Sequence, residues 1–315
     1  MRTRWIGSVL AATDAAEAGD EVVRAAGALA RAAGAELHVV HALELELGAY
    51  PEVNPAEFGF QARIARAEEA LDLQLARTLP PGVRAASRQV VVSMAHRAIL
   101  DRAGRVAADV IVLGPHRGGA PPGLLGATAD RVIRSAACPC LVVRGPLALP
   151  LRRVVVPLDL SDPARGALTT ALGWIEALGG RDAADPVPLP ELDVVHVVPA
   201  LFATDELPVN RAAIGPRLHA QVEQALDEHR LEVVAREELV WGDGPAREIA
   251  RYAAEQEAGL VVLATHGHGA VKRALVGSVA SAVARTAPCP VLLVPPSRWA
   301  LREVEPALEG AAAAA

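Results

Sequence analysis

"ELVWGDGPAREIARYAAEQEAGLVVLATHGHGAVKRALVGS" (238–278) contains a short apolar run, a helical stretch opened by Pro245, a second apolar run, and a glycine-bearing loop ending in Gly-Ser. An earlier stretch repeats the first three parts: "VVVSMAHRAILDRAGRVAADVIVLGPH" (90–116) matches 238–266. Short Val/Leu-rich runs separated by amphipathic stretches are strands separated by helices. Strands that are apolar along their whole length belong to a parallel sheet covered on both faces.

The repetition extends to the whole chain. "RWIGSVLAATDAAEA" (4–18) parallels "LRRVVVPLDLSDPA" (151–164), and "AELHVVHAL" (35–43) parallels "PELDVVHVV" (190–198). "RSAACPCLVVR" (134–144) parallels "RTAPCPVLLVP" (285–295). Asp14 thus corresponds to Asp159 and His41 to His196. Fixed-order self-similarity marks a duplicated unit. The copies join near "GPLALPL" (145–151), and the tail "EPALEGAAAAA" lacks apolar periodicity. We therefore place one domain at 1–147, a second at 148–298 and a frayed tail at 299–315.

In copy one the pattern predicts strands at 7–12, 36–41, 87–92, 109–113 and 140–143. Helices are predicted near 16–33, 57–79, 96–106 and 126–136. Copy two follows the same order. The expected fold is α/β: two tandem doubly wound domains, each with a five-stranded parallel sheet and right-handed crossovers.

The 315 residues are 52% apolar but only 3% aromatic, so the cores are built from Val, Leu, Ile and Ala. A net charge of −6 gives no nucleic-acid or anionic-membrane footprint. No uncharged apolar run approaches the roughly 18–20 residues of a membrane span. The basic, small-residue start resembles a weak signal peptide, but its counterpart recurs in mid-chain as an ordinary strand. A soluble cytoplasmic protein is the expectation. Three cysteines, Cys138, Cys140 and Cys289, cannot build a disulfide framework, and no second ligand cluster accompanies Cys138-Pro139-Cys140. They read as small buried hydrophobes.

Ligands of such sheets bind beyond the strands' carboxyl ends, where the winding reverses. In copy two, Asp159 and Ser161 follow the first strand and can act as helix caps or as ligand acceptors. After the fourth strand, Gly267 and Gly269 permit close backbone approach and positive φ. Gly277-Ser278 opens the next helix, whose free N–H groups favour an anion. Lys272, the only lysine of the chain, lies between them. The alternative is an ordinary strand–helix turn with a solvated charge. The Walker pattern G-x-x-x-x-G-K-[ST] is absent, since Ser278 follows Gly277 directly. His266 and His268 have no accompanying carboxylate for a metal site, and no Ser-His-Asp or Cys-His set is evident.

At these positions both copies resemble the universal stress protein family in its tandem form, over roughly residues 5–145 and 152–297. The family's nucleotide-binding members carry G-x2-G-x9-G-[ST] after strand four and an Asp after strand one. Copy two matches with Gly267, nine residues, then Gly277-Ser278; only the first glycine departs, to Ala264. The resemblance implies an adenine nucleotide α-hydrolase-like fold and a site for ATP or another adenine nucleotide, with magnesium admitted. It places Pro157, Leu158 and Asp159 along the adenosine, Val197 on adenine, and Leu263 and Ala264 at the ribose. Gly267, Gly277, Ser278 and Val279 would hold the phosphates. Copy one has Arg117 for the second glycine, an eight-residue spacer with Pro121-Pro122, and Ala127 for the serine. Little or no nucleotide binding is expected there, and a structural or partner-facing role instead.

The family also pairs last strands between domains, which here implies an intramolecular pseudo-dimer and leaves a homodimer open. Its implied function is a regulatory or protective role in stress response with unidentified protein partners. The lack of a Walker lysine or an evident general base argues for binding without fast turnover. The alternatives are slow ATP hydrolysis or autophosphorylation at Ser278 or Thr265, and a protein-interaction module that binds no nucleotide.

Overall fold

The computed structural model describes residues 5–44, 59–115, 124–179, 188–200, 209–229, 231–267 and 276–296. The first half runs β1 (Ser8–Thr13), α1 (Asp20–Ala33), β2 (Glu36–Leu43), α2 (Phe60–Thr78), β3 (Ser87–Val92), α3 (Ala95–Arg105), β4 (Val110–Leu113), α4 (Ala127–Ser135) and β5 (Cys140–Val142). The second repeats it: β6 (Arg153–Pro157), α5 (Asp162–Leu178), β7 (Glu191–Val198), α6 (Val209–His229), β8 (Val234–Trp241), α7 (Pro245–Glu255), β9 (Leu260–Ala264), α8 (Ser278–Thr286) and β10 (Val291–Val294). The expected tail at 299–315 and the loop residues Arg117, Pro121, Pro122, His268, Gly269 and Lys272 lie outside the described residues.

Most expected boundaries shift by one to four residues, and two of the shifts have a visible cause. The first helix was expected from 16, but α-helical bonding starts at Asp20 after a 3-10 turn at Glu17–Gly19. The Asp14 carboxylate accepts the Ala16 N–H at 3.1 Å, and Ala15 takes a φ of 57°. This local turn holds the chain away from the helix for one more turn. The fourth strand of copy two runs on to Ala264, because Val294 on β10 still pairs with it.

All ten strands form one sheet, ordered β3-β2-β1-β4-β5-β10-β9-β6-β7-β8. Every pair is parallel except β5 with β10. That antiparallel ladder is centred on Leu141 opposite Leu292, which are equivalent positions of the repeat. Equivalent residues facing each other mark a local two-fold axis, so the chain is its own pseudo-dimer. Pairing also removes two apolar edges that would otherwise invite aggregation.

One core lies under α1, α2, α5 and α6, the other under α3, α4, α7 and α8, and both continue through the two halves. In α1, Val22, Val23, Ala26, Leu29 and Ala30 are buried at helical spacing. Left-handed Gly34 at φ 61° ends the helix. The outer strand β8 is exposed along most of its length and carries Arg236, Glu237 and Glu238, charges that discourage edge pairing.

Side chains also join the halves. The Arg144 guanidinium donates to the carbonyls of Ala287 and Ala284 at 3.1 and 3.2 Å, at the C-terminal end of α8. Trp5 lies flat against Gly173 of α5, where a Cβ would come within 2.0 Å of the indole. Its ring centroid is 5.4 Å from that of His229 on α6. The three cysteines are buried and form no disulfide among the described residues, and burial pushes the Cys289 thiol up to about 11. Among the described residues, no helix is long and apolar enough to cross a membrane.

Candidate functional site

β6 pairs with β7 on one side and β9 on the other, so it is the switch point of the second half. The β6–β9 ladder has only two residue pairs, Val154 with Leu260 and Val155 with Val261. The equivalent β1–β4 ladder has four. Pro157 ends β6 and has no N–H to donate. Beyond Val155 the strands part, and a cavity of about 730 Å3 opens at their carboxyl ends.

All ten residues expected at the site, Pro157, Leu158, Asp159, Val197, Leu263, Ala264, Gly267, Gly277, Ser278 and Val279, line this cavity. Pro157, Leu158 and Asp159 leave β6 together, and Leu263 and Ala264 end β9. Val197 projects from β7, which lies beside β6. Gly277 precedes α8 and Ser278 and Val279 begin it.

Asp159 belongs as much to the fold as to the cavity. Its Oδ1 accepts the N–H and the hydroxyl of Ser161. Ser161 in turn accepts the Ala164 N–H at 3.4 Å as N-cap of α5, with Pro163 in the first turn. The other oxygen lies against Gly267, where a Cβ would sit 2.3 Å from it. Gly267 was expected to use its freedom for positive φ, but its φ lies outside the left-handed region. It is glycine because a carboxylate occupies the space of a side chain.

The far wall is the start of α8. No side chain caps Gly277, and the first helical bond is from the Ser281 N–H to the Gly277 carbonyl at 2.9 Å. The N–H groups of Ser278, Val279 and Ala280 therefore have no intrahelical acceptor, and with the helix dipole they make this wall electropositive; that of Gly277, expected to meet phosphate, instead donates to the Thr265 carbonyl at 2.7 Å. Much of the remaining lining is apolar, with Leu158, Ala164, Val195, Val197, Pro245 and Ile249. The cavity thus offers apolar surface for a planar group and helix-start donors for an anion.

Sequence reading left Ala164, Val195, Ile249, Val276 and Ala280 out of the site, though they line it. Val195 was signalled by period two from Val197, and Ile249 lies one helical turn beyond Pro245. His196 donates Nδ1–H to the Leu158 carbonyl at 2.7 Å, as His41 does to Thr13 at 3.0 Å. These are the structural roles expected at strand ends, although His196 also borders the cavity. Thr265 is buried, its hydroxyl 2.8 Å from His266 Nδ1. His266 Nε2 has no partner among the described residues. No group of three His, Cys, Asp or Glu side chains among the described residues is placed to hold a metal.

The family model described as "Universal stress protein family" matches the chain twice, at residues 6–144 and 150–295. Universal stress protein Rv2005c of Mycobacterium tuberculosis is 30% identical over 194 residues, 59% of this chain and 61% of that protein. The match thus spans about three-fifths of the mycobacterial relative's length. A Thermus aquaticus universal stress protein is 31% identical over 144 residues, 45% of this chain and 98% of its own. Among solved structures, a universal stress protein from Archaeoglobus fulgidus superposes with a TM-score of 0.67 at 19% identity, covering 91% of this chain and 98% of its own. A functionally unknown protein from Pseudomonas aeruginosa PAO1 gives 0.61 at 15% identity, with coverages of 96% and 98%. The duplicated family match and the shared architecture agree with the repeat and the single sheet, and the chain belongs to the universal stress protein family.

Proposed function

We propose that the second half binds ATP or another adenine nucleotide, and that occupancy tunes a regulatory or protective role in stress response. The observation that carries this reading is the cavity's polarity. Its lining combines apolar side chains with the uncapped start of α8. Purine and sugar pack against the apolar side chains, and phosphates meet the N–H groups and the Ser278 hydroxyl. A volume of about 730 Å3 is within the range of small-molecule sites.

The same groups favour binding over turnover. His196 spends Nδ1 on Leu158, and Asp159 spends Oδ1 on Ser161, so both are held by the fold rather than poised toward a substrate. If magnesium enters, Asp159 is its carboxylate ligand within this lining.

Equilibrium dialysis of labelled ATP tests the site. Among the described residues a Cβ at Gly277 would meet the Thr265 carbonyl oxygen at 3.4 Å, so Gly277→Val is expected to keep the fold while narrowing the phosphate end. Together with Ser278→Ala it is expected to weaken ATP binding by at least tenfold. Unchanged affinity overturns the assignment. Phosphate release or protein labelling from γ-labelled ATP would favour slow hydrolysis or autophosphorylation, with exposed Ser278 a better acceptor than buried Thr265.

A further inference from the structure

Both halves place the start of a helix beside a cavity. The first half has one of about 590 Å3 at the carboxyl ends of β1 and β4. Asp14, Leu113 and Gly126 line it where Asp159, Leu263 and Gly277 line the other. Helices α4 and α8 each begin there without a side-chain cap. The two helices differ at their far ends.

The last carbonyls of an α-helix have no intrahelical donor and carry the negative end of its dipole. At the end of α8 they meet a cation from the other half. Arg144 Nε donates to the Ala287 carbonyl at 3.1 Å, and Nη1 donates to that of Ala284 at 3.2 Å. Ala284 lies in the last turn of α8, and Ala287 directly follows the helix. A planar fork on two carbonyls is directional, so it restrains the helix end as a flexible ammonium would not. The seam between the halves sets the fork in turn. Arg144 lies two residues beyond Val142, which pairs with Val291 across the antiparallel β5–β10 ladder. The repeat breaks at this point. Pro295 stands where Arg144 stands in the other half, and it offers α4 neither charge nor side-chain donor.

We propose that Arg144 is a positioning residue for the second-half site. Through it the first half holds α8 where the helix's free N–H groups meet a ligand's phosphates. The role rests on the nucleotide reading of that site. The start of α8 is tied to its own half, by Gly277 N–H on the Thr265 carbonyl at 2.7 Å and Thr265 N–H on the Val294 carbonyl at 2.9 Å. Its end is tied to the first half, so the seat of the helix depends on both. Nine residues separate grip from wall by about 14 Å. That exceeds the screening length of about 8 Å at physiological salt, so Arg144 acts through the helix rather than by attracting phosphate directly. Hydrogen bonds weaken steeply with misalignment, so the phosphate contacts are the ones that feel a displaced helix. Leu158, Val195, Val197 and Ile249 stand on other elements and keep their places.

Equilibrium dialysis of labelled ATP and labelled adenosine on the full-length protein tests the role. Arg144→Ala removes both donors and the charge. Its ATP affinity is expected to fall about three- to tenfold, the usual size of a coupling carried at a distance, with adenosine affinity unchanged within about twofold. Arg144→Lys keeps the charge without the fork, and is expected to lose ATP affinity by at least about twofold while sparing adenosine. It carries the test alone if Arg144→Ala gives no cooperative thermal melt. The proposal is overturned if either folded variant binds ATP as tightly as the unmodified protein. It is equally overturned if ATP and adenosine weaken alike, since a general loosening of the fold would do that. An unmodified chain that takes up no ATP overturns the nucleotide reading and this role together. ATP binding that responds to Gly277→Val with Ser278→Ala, but not to the Arg144 variants, overturns this role alone.

Discussion

Gly267 and Asp159 form a pair in which one residue's identity depends on the other's. The carboxylate lies where a β-carbon at 267 would be, 2.3 Å from it. Gly267→Ala is expected to cost about 1–3 kcal/mol, because the turn must shift or Asp159 must leave its Ser161 partner. Asp159→Ala should make the glycine substitution nearly silent. Urea titrations of the single and double variants measure this coupling, and additive costs would remove the explanation. Asp193 shows the opposite economy. It is fully buried on β7, and neither carboxylate oxygen has a hydrogen-bond partner among the described residues. Arg153 and Arg236 stand 3.9 Å away. Burial outweighs these charges and raises its pKa above the usual carboxylate value. The folded chain thus holds this proton more tightly than the unfolded chain does. Its stability is complete below the ordinary carboxylate range and falls as pH rises through the raised value. Asp193→Asn is expected to raise the melting temperature at pH 7.5, with the gain shrinking as pH falls toward 4.

Helix α5 and helix α8 both start at the same cavity, and they start differently. Ser161 caps α5, while α8 follows Gly277 with no side-chain cap. Ser161→Ala should cost about 1 kcal/mol in a thermal melt, the usual loss for a capping serine. Ser278→Ala lies beyond an uncapped start and should change stability little while weakening nucleotide binding. A capped helix end is built for stability, and an uncapped one facing a cavity leaves its donors for a ligand. The β6–β9 ladder makes the same point. Two residue pairs join these strands before Pro157, against four for β1 and β4, and the longer ladder borders the smaller cavity.

The ten-stranded sheet depends on the pairing of two short strands at its centre. Leu141 and Leu292 face each other fully buried at the local two-fold axis. Leu141→Ala is expected to cost about 2–5 kcal/mol, and because both cores pass through this seam the halves should melt together. Two resolved transitions in calorimetry would contradict that. Acid should loosen the outer contact of the halves. Burial lowers the pKa of His229, which stands beside Trp5. The unfolded chain takes up this proton near the ordinary histidine value and the folded chain resists it, so stability is full above that value and falls as pH drops through it. His229→Phe keeps an aromatic ring against the indole. It should flatten the decline in melting temperature between pH 7 and pH 5.

The repeat and the alternation of strands and helices were legible because apolar periodicity records which face of each element is buried, and that record is local. That the ten expected positions gather at one cavity was legible for a related reason. In a doubly wound sheet the residues that follow the first and fourth strands must come together, so strand order alone brings Asp159 near Gly267. The partners that depend on distance in space were not legible. Ala164 and Ile249 reach the cavity only because helices fold back over the sheet. Gly267 was read as a site of positive φ and close backbone approach when it is a seat for a carboxylate, since the identity of that neighbour is a tertiary fact. The altered loop of the first half implied little or no nucleotide binding there, but not whether a cavity lies beneath it, and the folded chain has one. A loop sequence states which backbone groups it offers, but the volume beneath it is set by how far two strands part, and only packing decides that.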